Sequence, residues 1–209
     1  MTTLFLIRHA ESVANASHIL ASRMNFALTE AGKSDAAALA SEFSSQWKID
    51  AIWCSPLLRA EQTAAPFVLA CNAQLHLDDR LQEQYLGRFS GLSYAEAEAD
   101  PAYCRERKAR WNWVPEGGGE SYEMIATRVQ SFLSDLRKQC ASQALENVLI
   151  VTHAVTLRLF RACFEQTLPD YPERISDNGE IWRVPLLPEG IPATVETLAL
   201  SLPTKAHRA

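Results

Sequence analysis

Two short apolar runs, each followed by a histidine, constrain the fold of this chain more than any other feature. The first covers residues 4–7 and leads directly into Arg8 and His9, and the second covers residues 148–151 and leads into Thr152 and His153. Uninterrupted apolar runs of this length are typical of buried, parallel strands. Ligands of open α/β sheets bind at the carboxyl ends of such strands. The pattern therefore predicts that both histidines meet in one pocket, which makes this chain a candidate enzyme.

The rest of the chain alternates between helix and strand patterns. A helix with Phe43 and Trp47 on its apolar face precedes a second predicted strand at 50–54, and Ser55 is predicted to cap the next helix with Pro56 in its first turn. Further helices are predicted from about residue 120 and from 154 to 164. Additional strands are predicted at 75–77, 180–184 and 194–200. This order predicts an α/β fold, a three-layer α/β/α sandwich around a mostly parallel sheet.

Length and composition indicate a globular protein. The 209 residues are predicted to form a single α/β domain, 1–209, with a helical excursion over the active site at about 93–118. The net charge of -5 opposes nucleic-acid binding, and no apolar stretch approaches the roughly 18 residues of a membrane helix. Five scattered cysteines without metal-type spacing predict free thiols and a cytoplasmic location.

Cationic groups accompany the first histidine at several points of the chain. Arg8 precedes His9, Arg59 falls in the first turn of a predicted helix, and His153 ends the later strand. Free backbone N–H groups at a helix start already favour an anion. Arginine matches phosphate geometry and stays charged, and phosphoryl transfer depends mainly on positioning and charge neutralisation. These groups around one nucleophilic imidazole therefore predict a phosphoryl site.

Six motifs in order extend this prediction. They read LIRHAES (6–12), LTEAG (28–32), SPLLRAEQT (55–63), LQEQYLG (81–87), GGES (118–121) and VTH (151–153). In these motifs the chain resembles the histidine phosphatase superfamily, which has the phosphoglycerate-mutase-like fold. The resemblance spans residues 4 to about 158. Two positions depart from the usual pattern, Ala154 in place of glycine and Ser90 in place of glutamate, and neither removes a group needed for the chemistry.

The resemblance implies roles for six residues. His9 would be the nucleophile that becomes phosphohistidine, and Glu83 would protonate the leaving oxygen and later activate water. The other four would hold the phosphoryl oxygens: Arg8, Asn15, Arg59 and His153. The implied activity is that of a metal-independent phosphomonoesterase, a histidine acid phosphatase-type phosphoric monoester hydrolase without a cofactor. Its partner would be a small-molecule phosphomonoester, and a homo-oligomer is left open.

A cofactor-dependent phosphoglycerate mutase-type phosphomutase is the main alternative. Such mutases carry an arginine, a tyrosine and a lysine at the positions of Gln84, Leu86 and Tyr94, and these departures favour a phosphatase. Basic residues do cluster in the excursion, but they are expected to form a solvated helical face: Arg105, Arg107, Lys108 and Arg110.

Two other classes of protein are also considered. A metal hydrolase could use His9, His153 and Asp78 or Asp79, but closely spaced ligands such as H-x-x-x-H are absent. An inactive binding module is disfavoured because no charged site residue is missing. The substrate stays open among sugar phosphates, phosphoglycerate-like acids, ribazole phosphate and phosphoserine. Trp111 and Trp113 are expected to pack the excursion onto the core rather than stack on a substrate ring.

Overall fold

A six-stranded sheet lies at the centre of the computed structural model, which describes residues 1–199. The strands run in the spatial order β3-β2-β4-β1-β5-β6. The first four in this order are parallel, whereas β5 is antiparallel to β1 and β6 is antiparallel to β5. Their bounds are β1 (Thr3–Arg8), β2 (Ala51–Cys54), β3 (Gln74–Leu77), β4 (Asn147–Thr152), β5 (Ile181–Pro185) and β6 (Glu196–Thr197).

Helices connect the strands and cover both faces of the sheet. The described residues form α1 (Val13–Ala16), α2 (Glu30–Ser44), α3 (Leu58–Cys71), α4 (Tyr94–Ala99), α5 (Tyr122–Gln143) and α6 (Ala154–Glu165). Three 3₁₀ turns lie at Asp79–Leu81, Gly87–Phe89 and Lys108–Trp111. None of the helices within 1–199 is both long and apolar enough to span a membrane.

Strand β1 shows why the apolar runs have no polar alternation. Leu4 and Leu6 pack in a core with α5 and α6, while Phe5 and Ile7 pack in a second core with α2 and α3. All four side chains are buried. Because the sheet is covered on both faces, successive side chains are apolar although they point in opposite directions. This arrangement confirms the predicted three-layer α/β/α sandwich.

The start of α2 is held against the loop that follows the first histidine. Thr29 is the N-cap, and its hydroxyl oxygen accepts from the Gly32 N–H at 2.9 Å. A Cβ at Gly32 would lie 2.1 Å from the Glu11 carbonyl oxygen, so the backbones approach too closely for any side chain. The LTEAG motif therefore anchors the loop after β1.

Some local predictions differ from the structure. Helix α3 begins at Leu58 and its N-cap is Leu57, without a side-chain cap, so the predicted cap at Ser55 is wrong. Ser55 lies two residues before this N-cap, where its hydroxyl oxygen accepts from the Leu57 N–H at 3.3 Å and lies 2.7 Å from Nε2 of His153. The strand predicted at 194–200 is shorter, Glu196–Thr197, and its residue 200 lies outside the described residues.

The excursion at 93–118 has a small core of its own. Phe89, Tyr103 and Trp113 contact one another with ring centroids 5.3 to 5.9 Å apart, and Trp111 stacks on Tyr171 at 6.5 Å. Both tryptophans therefore pack within the protein. The organisation of 1–209 as a single domain stays a prediction.

Candidate active site

Strand register brings the two histidines together. Arg8, the last residue of β1, pairs with Thr152, the last residue of β4. The next residues, His9 and His153, are therefore neighbours across the sheet edge, with ring centroids 5.1 Å apart. The His9 N–H also donates to the Thr152 carbonyl at 2.9 Å. Two residues that are far apart in the chain thus form one site.

The hydrogen-bond partners of His9 define where its proton lies. Nδ1 is 2.8 Å from the carbonyl oxygen of Ala10, which can only accept, so Nδ1 carries the hydrogen. Nε2 accepts from Nε of Arg59 at 3.2 Å, which requires a lone pair there. Burial lowers the pKa of His9 well below its usual value, and the charges of Arg59 and Arg8 lower it further. His9 is therefore a neutral imidazole with a nucleophilic Nε2.

Arg59 is a buried cation, with only 1% of its surface exposed. Besides contacting His9, it donates to the carbonyl oxygens of Ser22 at 2.7 Å and Met24 at 2.9 Å. No carboxylate within residues 1–199 forms an ion pair with it. Burial lowers its pKa to about 10, so the guanidinium keeps its charge at neutral pH. An anionic ligand would supply the missing counter-charge.

The Arg8 side chain is held by a backbone carbonyl group. Its Nη1 donates to the Ser176 carbonyl at 2.5 Å, while its buried Nε has no hydrogen-bond partner within the described part of the chain. Burial lowers the pKa of Arg8, and the nearby Glu83 carboxylate opposes that shift. An oriented N–H donor is therefore available beside His9.

Glu83 lies where the loop after β3 meets the start of α6. One carboxylate oxygen accepts from its neighbour Gln84 N–H at 2.9 Å, and the other accepts from the Val155 N–H at 3.3 Å. Val155 belongs to the first turn of α6, so a helix start fixes this carboxyl group at the edge of the site.

Asn178 is a site residue that the sequence analysis missed. Its Nδ2 donates to the carbonyl oxygens of His9 at 2.9 Å and Ala10 at 3.3 Å, and to Oδ1 of Asn15 at 3.2 Å. Oδ1 of Asn15 also accepts from the Ser12 N–H, so the Asn15 amide hydrogens are left for other acceptors. In the sequence, Asn178 precedes Gly179 just before a strand, and an Asn-Gly pair reads as an ordinary turn.

These groups surround a cavity of about 520 Å³. Five of the six predicted site residues line it: Arg8, His9, Asn15, Arg59 and Glu83. His153 lies fully buried behind His9 and contacts Ser55. Burial lowers the pKa of His153 well below its usual value, and Arg59 adds to that shift. The three positions that distinguish mutases also line the cavity: Gln84, Leu86 and Tyr94.

The excursion contributes two of its basic residues to the cavity wall, Arg107 and Arg110. Arg107 bonds to the carbonyl of Glu173, and Arg110 donates from Nε to the Cys104 carbonyl at 3.0 Å. The guanidinium of Arg110 also lies 5.0 Å from the centre of the Tyr103 ring. The expectation of a solvated helical face is therefore wrong for Arg110, which is half-buried, whereas Arg107 is exposed to solvent although it also lines the cavity.

The positions of the possible metal ligands bear on the metal-hydrolase alternative. Within residues 1–199 no group of three or more His, Cys, Asp and Glu side chains is arranged to hold a metal ion. Asp78, considered above as a ligand, instead forms an ion pair with Arg80 at 2.7 Å. All five cysteines are free thiols.

Comparisons with known proteins identify the family of this chain. The model of the histidine phosphatase superfamily (branch 1) matches residues 4–192, so the chain belongs to that superfamily. Phosphoserine phosphatase 1 of Hydrogenobacter thermophilus is 35% identical over 159 residues, which cover 76% of this chain and 74% of that protein. A metal-independent phosphoserine phosphatase of Arabidopsis thaliana is 30% identical over 162 residues, which cover 76% and 66% respectively.

Solved structures show the same fold. Mycobacterial glucosyl-3-phosphoglycerate phosphatase in complex with VO3 superposes with a TM-score of 0.82 at 21% identity, covering 96% of this chain and 100% of that chain. The family model and the curated relatives support a phosphatase, a phosphoric monoester hydrolase.

Proposed function

We propose that this protein hydrolyses a small phosphomonoester without a metal ion, through a phosphohistidine formed at Nε2 of His9. The observation that carries the proposal is the pair of hydrogen bonds on the His9 ring. The Ala10 carbonyl holds the proton on Nδ1, and Arg59 places a cation 3.2 Å from the Nε2 lone pair. A nucleophile and a positive charge thus converge at the point where a phosphoryl group would be attacked.

In the first step, the Nε2 lone pair of His9 attacks phosphorus and the bond from phosphorus to the substrate oxygen breaks. Glu83 gives its proton to that leaving oxygen, and the product alcohol departs. The N–H groups of Arg8, Arg59, Asn15 and His153 donate to the phosphoryl oxygens. Arginine cations supply the charge neutralisation that Mg²⁺ gives in other phosphoryl-transfer enzymes.

In the second step, water attacks the phosphohistidine. Glu83, now a carboxylate, takes a proton from the attacking water, and the bond between phosphorus and Nε2 breaks. Inorganic phosphate leaves, and His9 and Glu83 return to their starting protonation states. The same residues thus complete the reaction without a cofactor.

The cavity wall favours a substrate with a second anionic group. Arg107 and Arg110 line the same cavity as Arg8 and Arg59 but belong to the excursion. Of the candidate substrates, phosphoserine and phosphoglycerate-like acids carry a carboxylate that these arginines could bind. The similarity to phosphoserine phosphatases supports testing phosphoserine first. The free thiols favour a reducing compartment, and we place the protein in the cytoplasm.

The stability of a phosphate label on the protein in acid and in base tests the covalent step. Brief mixing with a ³²P-labelled phosphomonoester should leave acid-labile, base-stable phosphate on the wild-type protein. His9→Ala should abolish both label and turnover. His76→Ala is the control, and this variant should keep its label. His76 lies in the edge strand β3, where its ring stacks on Trp53 of β2. Label that persists in His9→Ala would refute the assignment.

A phosphomutase is the second candidate, because Arg107 and Arg110 line the cavity. Such an enzyme binds a second anionic group while it protects phosphohistidine from water. With 3-phosphoglycerate and 2,3-bisphosphoglycerate, the proposed hydrolase should release inorganic phosphate and form little 2-phosphoglycerate, and EDTA should leave the rate unchanged. Isomerisation faster than phosphate release would favour the mutase.

A further inference from the structure

Ser55 is a buried residue at the carboxyl end of the sheet, in contact with His153. It directly follows β2, and its N–H donates to the Val151 carbonyl of β4 at 3.0 Å. Its hydroxyl oxygen lies 2.7 Å from Nε2 of His153, and both side chains are fully buried. Because this contact joins the ends of two neighbouring strands, it is set by the sheet and not by a mobile loop.

The hydrogen of the Ser55 hydroxyl needs an acceptor because the group is buried. The Leu57 N–H donates to the Ser55 oxygen at 3.3 Å, so that contact uses an acceptor site of the oxygen and leaves its hydrogen unassigned. Nε2 of His153 is the acceptor within reach. If Nε2 carried the proton instead, the buried hydroxyl hydrogen would be left without an acceptor, which is unfavourable.

We propose that Ser55 sets the tautomer of His153 by donating to Nε2, which leaves the hydrogen on Nδ1. Nδ1 of His153 is buried and has no hydrogen-bond partner within residues 1–199. An Nδ1–H beside His9 is a donor for an oxygen of the transferred phosphoryl group, whereas a lone pair there would repel that oxygen. Ser55 is thus a positioning residue, and this role rests on the proposed phosphatase function.

His9 and His153 would then both carry the proton on Nδ1, one ring to attack phosphorus and the other to donate a hydrogen bond. At His9, the Ala10 carbonyl holds the hydrogen on Nδ1 so that Nε2 can attack. At His153, Ser55 occupies Nε2 so that Nδ1 can donate. A free histidine side chain prefers the hydrogen on Nε2, so both rings need an imposed partner to hold the less favoured tautomer.

Long-range ¹H–¹⁵N correlation spectra of the ¹⁵N-histidine-labelled protein test the tautomer directly. The chain has five histidines, so each ring can be assigned by substitution. In the wild-type protein at neutral pH, His153 should show a protonated Nδ1 and an unprotonated Nε2. A protonated Nε2 at His153 would overturn the proposal, and this measurement does not depend on turnover.

Kinetics then test the consequence. Ser55→Ala should lower kcat/KM roughly 10- to 100-fold, less than the ~10²–10³ expected for losing an oxyanion donor outright, because part of the population keeps the right tautomer. Thr2→Val is the control, since it also removes a hydroxyl donor with a 2.7 Å bond, but to Leu145 and outside the site. It should change the rate by less than about twofold.

A double-mutant cycle separates a tautomer effect from loosened packing. His153→Asn places an amide N–H near the position of Nδ1, and an amide group has no tautomers. In the His153→Asn background, Ser55→Ala should therefore lower kcat/KM by less than about threefold. An equal loss in both backgrounds would refute the proposed role of Ser55 while leaving the His9 labelling result, and hence the phosphatase function, intact.

Discussion

Replacing Arg59 is the most informative perturbation of this site. Arg59 is almost fully buried, contacts Nε2 of His9 and has no carboxylate ion-pair partner within residues 1–199. Arg59→Ala removes the charge and the donor together. Arg59→Lys keeps the charge but loses the planar fork that also holds the carbonyls of Ser22 and Met24.

The size of the effect follows from the geometry. Nε of Arg59 lies 3.2 Å from Nε2 of His9, so a phosphoryl group attacked by Nε2 would lie roughly 4 Å from the guanidinium. At that distance a pair of unit charges interacts by about 4 kcal/mol at an effective dielectric constant of about 20. A loss of about 2.7–4 kcal/mol from the transition state corresponds to a fall of ~10²–10³ in kcat. Arg59→Ala should fall in this range, and Arg59→Lys should lie between it and the wild type.

Steady-state kinetics with p-nitrophenyl phosphate and phosphoserine measure this loss, and urea unfolding measures stability in parallel. Arg161→Ala is a suitable control, because Arg161 pairs with Glu165 in α6 outside the cavity, and it should keep near-wild-type kcat. Wild-type kcat in a folded Arg59→Ala variant would mean that the phosphoryl group binds elsewhere.

Three further predictions concern other parts of the site. Glu83→Gln should slow phosphoryl transfer from alkyl phosphates far more than from p-nitrophenyl phosphate in single-turnover assays, since the aryl leaving group needs no proton; equal slowing would reject the acid role. The pKa values of His9 and His153 are lowered in the folded protein, so these two side chains bind protons just below pH 6.5 only in the unfolded state. The free energy of unfolding should therefore fall on acidification, by up to about 1.4 kcal/mol per pH unit for each histidine, and His9→Asn/His153→Asn should flatten that slope in urea titrations. Asn178→Ala should lower kcat roughly tenfold, and Asn178→Asp should lower it further because a carboxylate would face the carbonyls of His9 and Ala10; unchanged kcat in both would exclude a positioning role.

The sequence predicted the fold class because local patterns carry that information. Uninterrupted apolar runs such as 148–151 indicate strands covered on both faces, and the structure confirms this for β4. Helix boundaries were less well predicted. Ser55 and Pro56 have the composition of a helix start, yet α3 begins at Leu58, and the Ser55 hydroxyl lies before the helix, where it contacts His153.

The candidate site was predictable where motif residues follow strands. Arg8 and His9 lie at the end of β1, and the structure brings them to the cavity with Arg59, Asn15 and Glu83. The roles of these residues stay predictions. The excursion was harder to interpret, because a run of basic residues looks the same whether it faces solvent or folds over a pocket. Only the tertiary structure, in which Tyr103 and Trp113 pack beside Arg110, shows that this part of the excursion folds over the pocket.

Residue order alone determined which elements form and which side chains stand at their ends. Tertiary structure decided which of those ends meet. The pairing of Arg8 with Thr152 makes His9 and His153 neighbours. Contacts across 98 residues, from Ser55 to His153, and across 169 residues, from Asn178 to His9, then orient them. Local periodicity reports only whether a side chain is buried, whereas these partners depend on strand order and register, which arise when the whole sheet assembles.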